Sequence, residues 1–453
     1  MDINPAIFRE YDIRGRVDSD FSNDILVAVG RAAGTFFRQN ACRSVVLGWD
    51  ARLSSPLLAD FLGRGFLAAG LEVVELGAVP TPALYYAVDA LEADAGAMIT
   101  GSHNPPEYNG IKLQKGPDPV FGRDIRRIYE LLVRGEFESG EGRRRRHEGI
   151  LERYREFLRS RLRTVDRRLR VVVDSGNGMG GLVAPDLYRE LGVEVVSLYG
   201  EPDGRFPHHH PDPTVEENLR DLRKLVVEEG ADLGLAFDGD ADRVGAVEEK
   251  GGILWGDDLL TLFARQVLAE HPGATIIGDV KCSDRFFADV EGRGGKVLWN
   301  RTGHSLLKAR LREEKALLAG EWSGHFCFAD RFPGFDDGIY AGGRLLEITA
   351  AGKEPLSRRL RDLPQMISLP EIRVECSDEK KFAVVERVKQ RLSRCYDTIT
   401  LDGVRVRFPD GWALVRASNT QPALVLRYEA RDRLSLEQIR REVETVLEES
   451  LIG

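Results

Sequence analysis

Nowhere does the 453-residue sequence approach the roughly 18 consecutive apolar residues of a membrane-spanning helix. Its start, MDINPAIFREYDIRG, has charges and a proline where a secretory signal needs an apolar stretch. Cysteine is sparse: Cys42, Cys282, Cys327, Cys376 and Cys395 are odd in number, scattered and never at metal-ligand spacing. That pattern predicts free thiols in a reducing cytoplasm rather than a disulfide framework. An excess of positive charge is also missing. Against 73 acidic residues stand 64 Lys and Arg, a formal net charge of −9, which argues against non-specific contact with nucleic acid or an anionic membrane. A small anionic substrate needs only a few placed arginines, so it stays open. With 42% hydrophobic and 30% charged residues the chain reads as globular, and its length predicts two to four domains.

One grammar is written three times. Residues 44–77, 170–200 and 274–303 each read as apolar strand, polar turn, amphipathic helix, glycine stop and second strand. Strand–helix–strand units of this kind have parallel strands and right-handed connections. The spacing, over one hundred residues, is too long for a solenoid. It predicts three related mixed α/β domains in series. After each unit comes another apolar run ending in a polar loop: AGAMITGSHNPP, LGLAFDGDADR and ALLAGEWSGH. Ligands of parallel sheets gather beyond the carboxyl ends of strands, so the three loops should hold equivalent places around one cleft. The last ~85 residues break the repeat and read as a smaller α+β domain, with DEKKFAVVERVKQRLS and SLEQIRREVETVLEES as amphipathic helices. Boundaries are expected at 148/149, 251/252 and 366/367. The first lies in a charged connector, residues 135–149. Its run Arg143–Arg146 lacks interleaved aromatics and reads as a solvated linker, not a nucleic-acid patch.

The loops hold the chemistry. DGDADR sets Asp238, Asp240 and Asp242 at alternate positions after a strand. Carboxylates this close repel unless a cation sits among them, and hard oxygen donors suit Mg²⁺. An exposed acidic loop is the plain alternative. An EF-hand is disfavoured, since Arg243 stands where that loop needs glycine and no helix precedes it. Ser102, between Gly101 and His103, is not in a G-x-S-x-G elbow. Beside a metal site it suits phosphoryl transfer. GEWSGH offers Glu321, Ser323 and His325 at alternate positions, a set that bonds adjacent sugar hydroxyls or simply makes a polar turn. His304 follows a strand in the same domain. RASNT presents Arg416, Ser418, Asn419 and Thr420 as an anion nest or a capped turn. His208–His210, flanked by prolines, reads as loop rather than metal site.

Taken together, TGSHNPPEYNGIK, DGDADR, GEWSGH and RASNTQP, with YDIRG near the start, resemble the α-D-phosphohexomutase family over essentially the whole chain. The resemblance implies three mixed α/β domains and a TATA-binding-protein-like fourth domain around a central cleft. It implies that Ser102 carries the transferable phosphoryl group, with Asp238, Asp240 and Asp242 and a phosphoserine oxygen holding Mg²⁺. Glu321 and Ser323 match its sugar readers, with His325 beside them, and Arg416, Ser418, Asn419 and Thr420 its grip on the non-reacting phosphate. Tyr11, Arg14, His103, Lys112, Arg243, Lys281 and His304 match assisting cleft residues. A hexose 1,6-bisphosphate is the implied intermediate and activator. GEWSGH and Asn419 resemble the mannose/glucose subclass; a glucosamine-phosphate mutase and a Mg²⁺-dependent sugar phosphatase are the alternatives. Trp322 fills a variable motif position. The implied protein is a cytoplasmic enzyme of sugar phosphates, monomer or weak dimer, with hinge motion near residues 361–371.

Overall fold

The computed structural model describes residues 3–165, 167–419 and 421–452. Four sheets follow one another along the chain. In the first, the strands run Ile13–Arg16, Tyr108–Lys115, Ala95–Ile99, Ser44–Trp49, Glu72–Ala78 and Arg144–Arg146, with Asp118–Pro119 paired beside Tyr108–Lys115. The second runs Ile253–Leu254, Val244–Glu248, Leu233–Phe237, Arg170–Asp174 and Glu194–Leu198. The third runs Lys296–Asn300, Thr275–Asp279, Leu318–Gly320 and Phe326–Phe328. One spatial order recurs in all three: the repeat's first strand sits between its second and its third, all parallel, and an antiparallel return strand flanks the third. The first and third strands therefore leave the sheet side by side where the winding reverses. Such a switch point opens a crevice at the carboxyl ends.

The third strands AGAMI and LGLAF are buried along their whole length. Covered on both faces, such strands read as continuous apolar runs, without alternation. Helix starts are marked by side-chain caps, Ser22 to the Ile25 amide, Ser283 to Arg285 and Asp337 to Tyr340. Residues of all three repeats, including Val46, Met98, Leu233, Leu235, Ile276 and Leu318, join one continuous apolar core. The fourth sheet, antiparallel, is built on Val404–Phe408, Gly411–Ala417 and Ala423–Ala430. It is backed by helices Lys381–Leu392 and Arg433–Ile452 and has a core of its own.

The structure gives the arginine run and the second boundary a specific form. The arginine run is not a free linker: Arg144–Arg146 pairs in parallel with Val73–Glu75 and closes the first sheet's edge. No apolar residue announces that strand, because its side chains stay in solvent, as Arg144 does on Asp60 and Arg145 on Glu72. Charged side chains are a usual way to blunt an edge. Near residue 251, Ile253–Leu254 still pairs with Ala246–Val247, so the expected boundary falls inside a hairpin turn. Two residues are too few for a hydrophobic period to mark them. The described cysteines are free, four buried and Cys395 exposed, and no described helix is long and apolar enough to cross a membrane.

Candidate active site

Beyond strand Ala95–Ile99 the chain turns sharply, and buried charge holds the turn. Asp50, past the adjacent first strand, accepts from the Thr100 hydroxyl at 2.8 Å and the Gly101 amide at 3.1 Å. Arg52, buried, donates to the carbonyls of Ser102, Asn104, Pro105 and Tyr108 at 2.5–3.0 Å. A side chain at Gly101 would strike that guanidinium, its Cβ only 2.4 Å from Arg52 Cζ and Nε. Ser102 adopts φ +48°, a conformation that costs a non-glycine residue energy and persists where surroundings over-determine it. The turn aims the hydroxyl: Ser102 Oγ donates to Asp238 Oδ2 at 2.7 Å and lies 3.2 Å from His103 Nδ1.

Asp238, Asp240 and Asp242 are fully buried, with one oxygen from each within 4.8 Å of the others. Thr81, at the start of helix Thr81–Ala90, donates to Asp240 from its hydroxyl at 2.6 Å, and its amide donates to the Asp240 carbonyl at 2.9 Å. A helix N-terminus favours a carboxylate. Lys112 Nζ donates to Asp240 at 2.7 Å and Asp242 at 2.5 Å. Burial alone would raise Asp240, but Lys112 and the Thr81 hydroxyl outweigh it and hold the carboxyl well below the ordinary range. Asp238 goes the other way, driven up by burial and then by the charges of Asp240 and Asp242. Arg243 and Lys112 offset only part of that repulsion. The triplet fits a hard divalent cation: Oδ1 of Asp240 and of Asp242 are buried without a hydrogen-bond partner, and every donor is oxygen.

Glu321 lies beyond the third repeat's third strand. Its carboxylate accepts from the Gly303 amide at 2.6 Å and the Ser323 hydroxyl at 2.8 Å. Arg243 Nε donates to His325 Nε2 at 2.8 Å, so the His325 proton sits on Nδ1, 3.0 Å from Asp336 Oδ2. His304 Nδ1 is 3.5 Å from the same oxygen, and the two imidazoles stack with centroids 5.3 Å apart. Lys308 holds the other Asp336 oxygen at 2.7 Å. Burial and then the Lys308 charge push His304 far down; burial and then Arg243 and Arg14 do the same to His103. Both rings are neutral at pH 7 and suited to accept protons.

The fourth module closes the far side. Arg416 Nε donates to Asp402 at 3.0 Å, and the side chain lines the cleft. Lys381 ties down the loop through the carbonyls of Ser418 and Gln421. Asn419 donates to the Tyr11 hydroxyl at 2.6 Å, which donates to the Thr302 carbonyl at 2.6 Å. Lys281 pairs with Glu371 at 3.1 Å. Burial opposes ionisation of Glu371, but Lys281 and Arg373 bring it down to about 2.

Every expected residue outside the acidic triplet and Thr420 lines one cleft enclosing about 890 Å³, open solvent at its mouth included. The triplet lies behind the cleft floor, reached through Ser102 and Lys112. Thr420 lies outside the described residues. Trp322 edges the cleft, with its ring between Lys281, 5.0 Å away, and Arg427, 4.4 Å away, and stacked on Trp255. Sequence reasoning missed Asp336, Glu371 and Arg373. Asp336 precedes Asp337, a helix cap, so FDDG reads as capping. Arg373 alternates in an ordinary strand. Asp336 and Glu371 take their roles from Lys308, His325 and Lys281, which are distant in sequence, and no local signal marks them.

Comparison with known proteins gives a consistent result. Models of phosphoglucomutase/phosphomannomutase match in succession: alpha/beta/alpha domain I over residues 5–138, domain II over 152–252, domain III over 255–367 and the C-terminal domain over 371–446. A phosphomannomutase/phosphoglucomutase of Pseudomonas aeruginosa is 45% identical over 436 residues, 96% of this chain and 94% of that protein. A phosphoglucomutase of Neisseria gonorrhoeae is 41% identical over 450 residues, 98% of this chain and 97% of that protein. The crystal structure of a phosphoglucomutase/phosphomannomutase family protein from Burkholderia thailandensis superposes with a TM-score of 0.92 at 40% identity, covering 100% of this chain and 99% of that one.

Proposed function

The chain belongs to the phosphoglucomutase/phosphomannomutase family, and from that premise we propose that it moves a phosphoryl group reversibly between C1 and C6 of glucose and mannose monophosphates. Ser102 carries the group. A hexose 1,6-bisphosphate is both intermediate and activator. The observation behind this reading is the 2.7 Å bond from Ser102 to Asp238 in a cleft whose opposite wall bears Arg416.

Asp238, Asp240 and Asp242, with an oxygen of phosphorylated Ser102, would hold Mg²⁺. When bound, the ion neutralises the charge spread over the moving group. Arg416, Ser418, Asn419 and Thr420 grip the phosphate that does not react, while Glu321 and Ser323 read two neighbouring sugar hydroxyls. Neutral His304 and the His325–Asp336 pair stand where the attacking hydroxyl loses its proton. Arg14, Lys112 and Arg243 are the cations on the Ser102 side of the cleft. The phosphoryl group passes from Ser102 to the free hydroxyl. The bisphosphate then turns end for end, and its other phosphate returns to Ser102. One grip serves either end of the sugar, provided the fourth module loosens without releasing the intermediate. His103, Tyr11 and Lys281 shape and charge the passage. The enzyme acts in the cytoplasm, as a monomer or weak dimer.

The test is a paired assay on glucose, mannose and glucosamine 1-phosphates with Mg²⁺ and a trace of glucose 1,6-bisphosphate. Conversion of the first two to 6-phosphates is expected. Conversion of glucosamine phosphate alone moves the reading to that sugar. Release of inorganic phosphate as main product, with no need for bisphosphate, replaces it with a phosphatase.

A further inference from the structure

The triple-histidine segment was left over by the functional reading, and it lies directly behind the nucleophile turn. Residues 201–213 leave the second sheet past Glu194–Leu198 and run across to the first repeat's switch point. Gly204 lies backbone to backbone against Ala51–Leu53: a Cβ there would come within 2.3 Å of the Ala51 carbonyl oxygen. Phe206, at φ +47°, sets its ring 5.3 Å from the Arg52 guanidinium. The three histidines then do three different things. His208 stacks on Tyr199 at 3.9 Å and donates from Nδ1 to Asn177 at 2.7 Å. His209 bonds Asp174 through Nε2 at 3.0 Å and the His210 carbonyl through Nδ1 at 2.9 Å. Burial opposes its charge, but Asp174 wins and raises it, so both nitrogens donate. His210 alone crosses to the first repeat, where Nε2 bonds the His103 carbonyl.

Three successive carbonyls of the nucleophile turn are thereby held from outside it. Arg52 takes those of Ser102 and Asn104, and His210 takes the one between. The first belongs to a peptide flanking Ser102, which holds φ +48°, and the next two anchor the chain that leaves it, so the turn resists the movement that would swing the hydroxyl off Asp238. The end of the second repeat's first strand, where Asp174 lies, is thus given over to the segment. Its counterparts in the other repeats lead to Arg52 and to Lys281, which face the nucleophile turn and the cleft.

We propose that His208–His210 is a clamp on the nucleophile turn, with His210 as a positioning residue that acts on phosphoryl transfer through the His103 carbonyl and never touches substrate. Its kinetic consequence rests on the proposed function; its structural consequence does not. A displacement of about 1 Å at a reacting group can cost on the order of 10²-fold in rate. The discriminating pair is His210→Gln, whose amide nitrogen reaches the Nε2 position, and His210→Asn, whose amide reaches only as far as Nδ1. Two readouts are taken on the full-length protein: deuterium exchange of the amides in residues 100–108, and kcat and KM for glucose 1-phosphate. His210→Asn should speed exchange in that segment at least tenfold and lower kcat at least tenfold with KM within about twofold. His210→Gln should stay within about threefold of wild type in both. Equal behaviour of the two variants in exchange overturns the clamp. A Gln/Asn split in exchange with no mutase activity in the wild type leaves the clamp standing and removes the functional reading instead.

Discussion

The two ends of the cleft are built on opposite principles. At the nucleophile end, Ser102, Lys112 and the acidic triplet are embedded where three repeats share one apolar core, and the ionised groups there are almost wholly out of water. At the phosphate-grip end, the fourth module has a separate core and meets the rest through a small apolar patch, Val280, Trp412 and Leu414. The remaining contacts there are polar: Arg405 to the carbonyls of Val280 and Cys282, Ser283 to Glu429, Asn419 to Tyr11 and Lys281 to Glu371. A shared close-packed core resists displacement. Those polar contacts are themselves buried, Arg405, Ser283 and Glu429 almost completely, so loosening the module requires water to enter and take their place. The nucleophile end is thus part of one shared core, whereas the grip sits on a second core joined to it largely by buried hydrogen bonds and ion pairs.

The comparison can be broken most severely at Ser102. Ser102→Ala should lower kcat by roughly 10³-fold or more, with little change in thermal stability. Mass spectrometry of wild type treated with glucose 1,6-bisphosphate should show one added phosphate, and of the variant none. Turnover within tenfold of wild type would rule out the phosphoserine. Next comes Lys112→Met, which leaves Asp240 and Asp242 buried and unpaired; breaking such a pair costs about 3–5 kcal/mol. Melting curves with EDTA should show that loss, and millimolar Mg²⁺ should recover much of it. Curves that ignore Mg²⁺ would argue against the metal site.

The other end yields smaller effects. Against burial, Lys281 and Arg373 bring Glu371 from an ordinary 4.5 down to about 2. A depressed carboxylate stabilises the fold above its unfolded pKa and loses that contribution as pH falls through the folded value. The advantage of wild type over Glu371→Gln should thus be full above pH ~5, at up to about 3 kcal/mol, and vanish towards pH ~2. An advantage that stays constant across this range would show that the pairing of Glu371 with Lys281 and Arg373 does not stabilise the fold. Smallest is Arg416→Ala, which should raise KM about tenfold, one charge-assisted bond to phosphate, while kcat falls less. A kcat loss matching that of Ser102→Ala would mean the two ends are not separable.

Much of this was legible beforehand. The buried strands AGAMI and LGLAF declared themselves because parallel sheets covered on both faces leave continuous apolar runs, and glycine and proline punctuated the loops. The edge strand Arg144–Arg146 and the hairpin strand Ile253–Leu254 did not, since backbone pairing with solvated or very short segments leaves no hydrophobic period. Asp336 was hidden for another reason. Its partners Lys308, His304 and His325 come from other elements, so its neighbours in sequence say nothing of its place.

Local pattern, by itself, determined the three strand–helix–strand units, the loop at each strand tip and the chemical types those loops carry, because side-chain periodicity and turn propensity are short-range properties. Only the tertiary structure decided that Ser102 would meet Asp238, that Lys112 would stand among the carboxylates, that one carboxylate would serve two imidazoles and that a histidine of the second repeat would brace the turn of the first. Those are electrostatic and hydrogen-bonded relations between segments far apart in the chain. They exist only once packing has brought the groups within about 3 Å and removed the water between them.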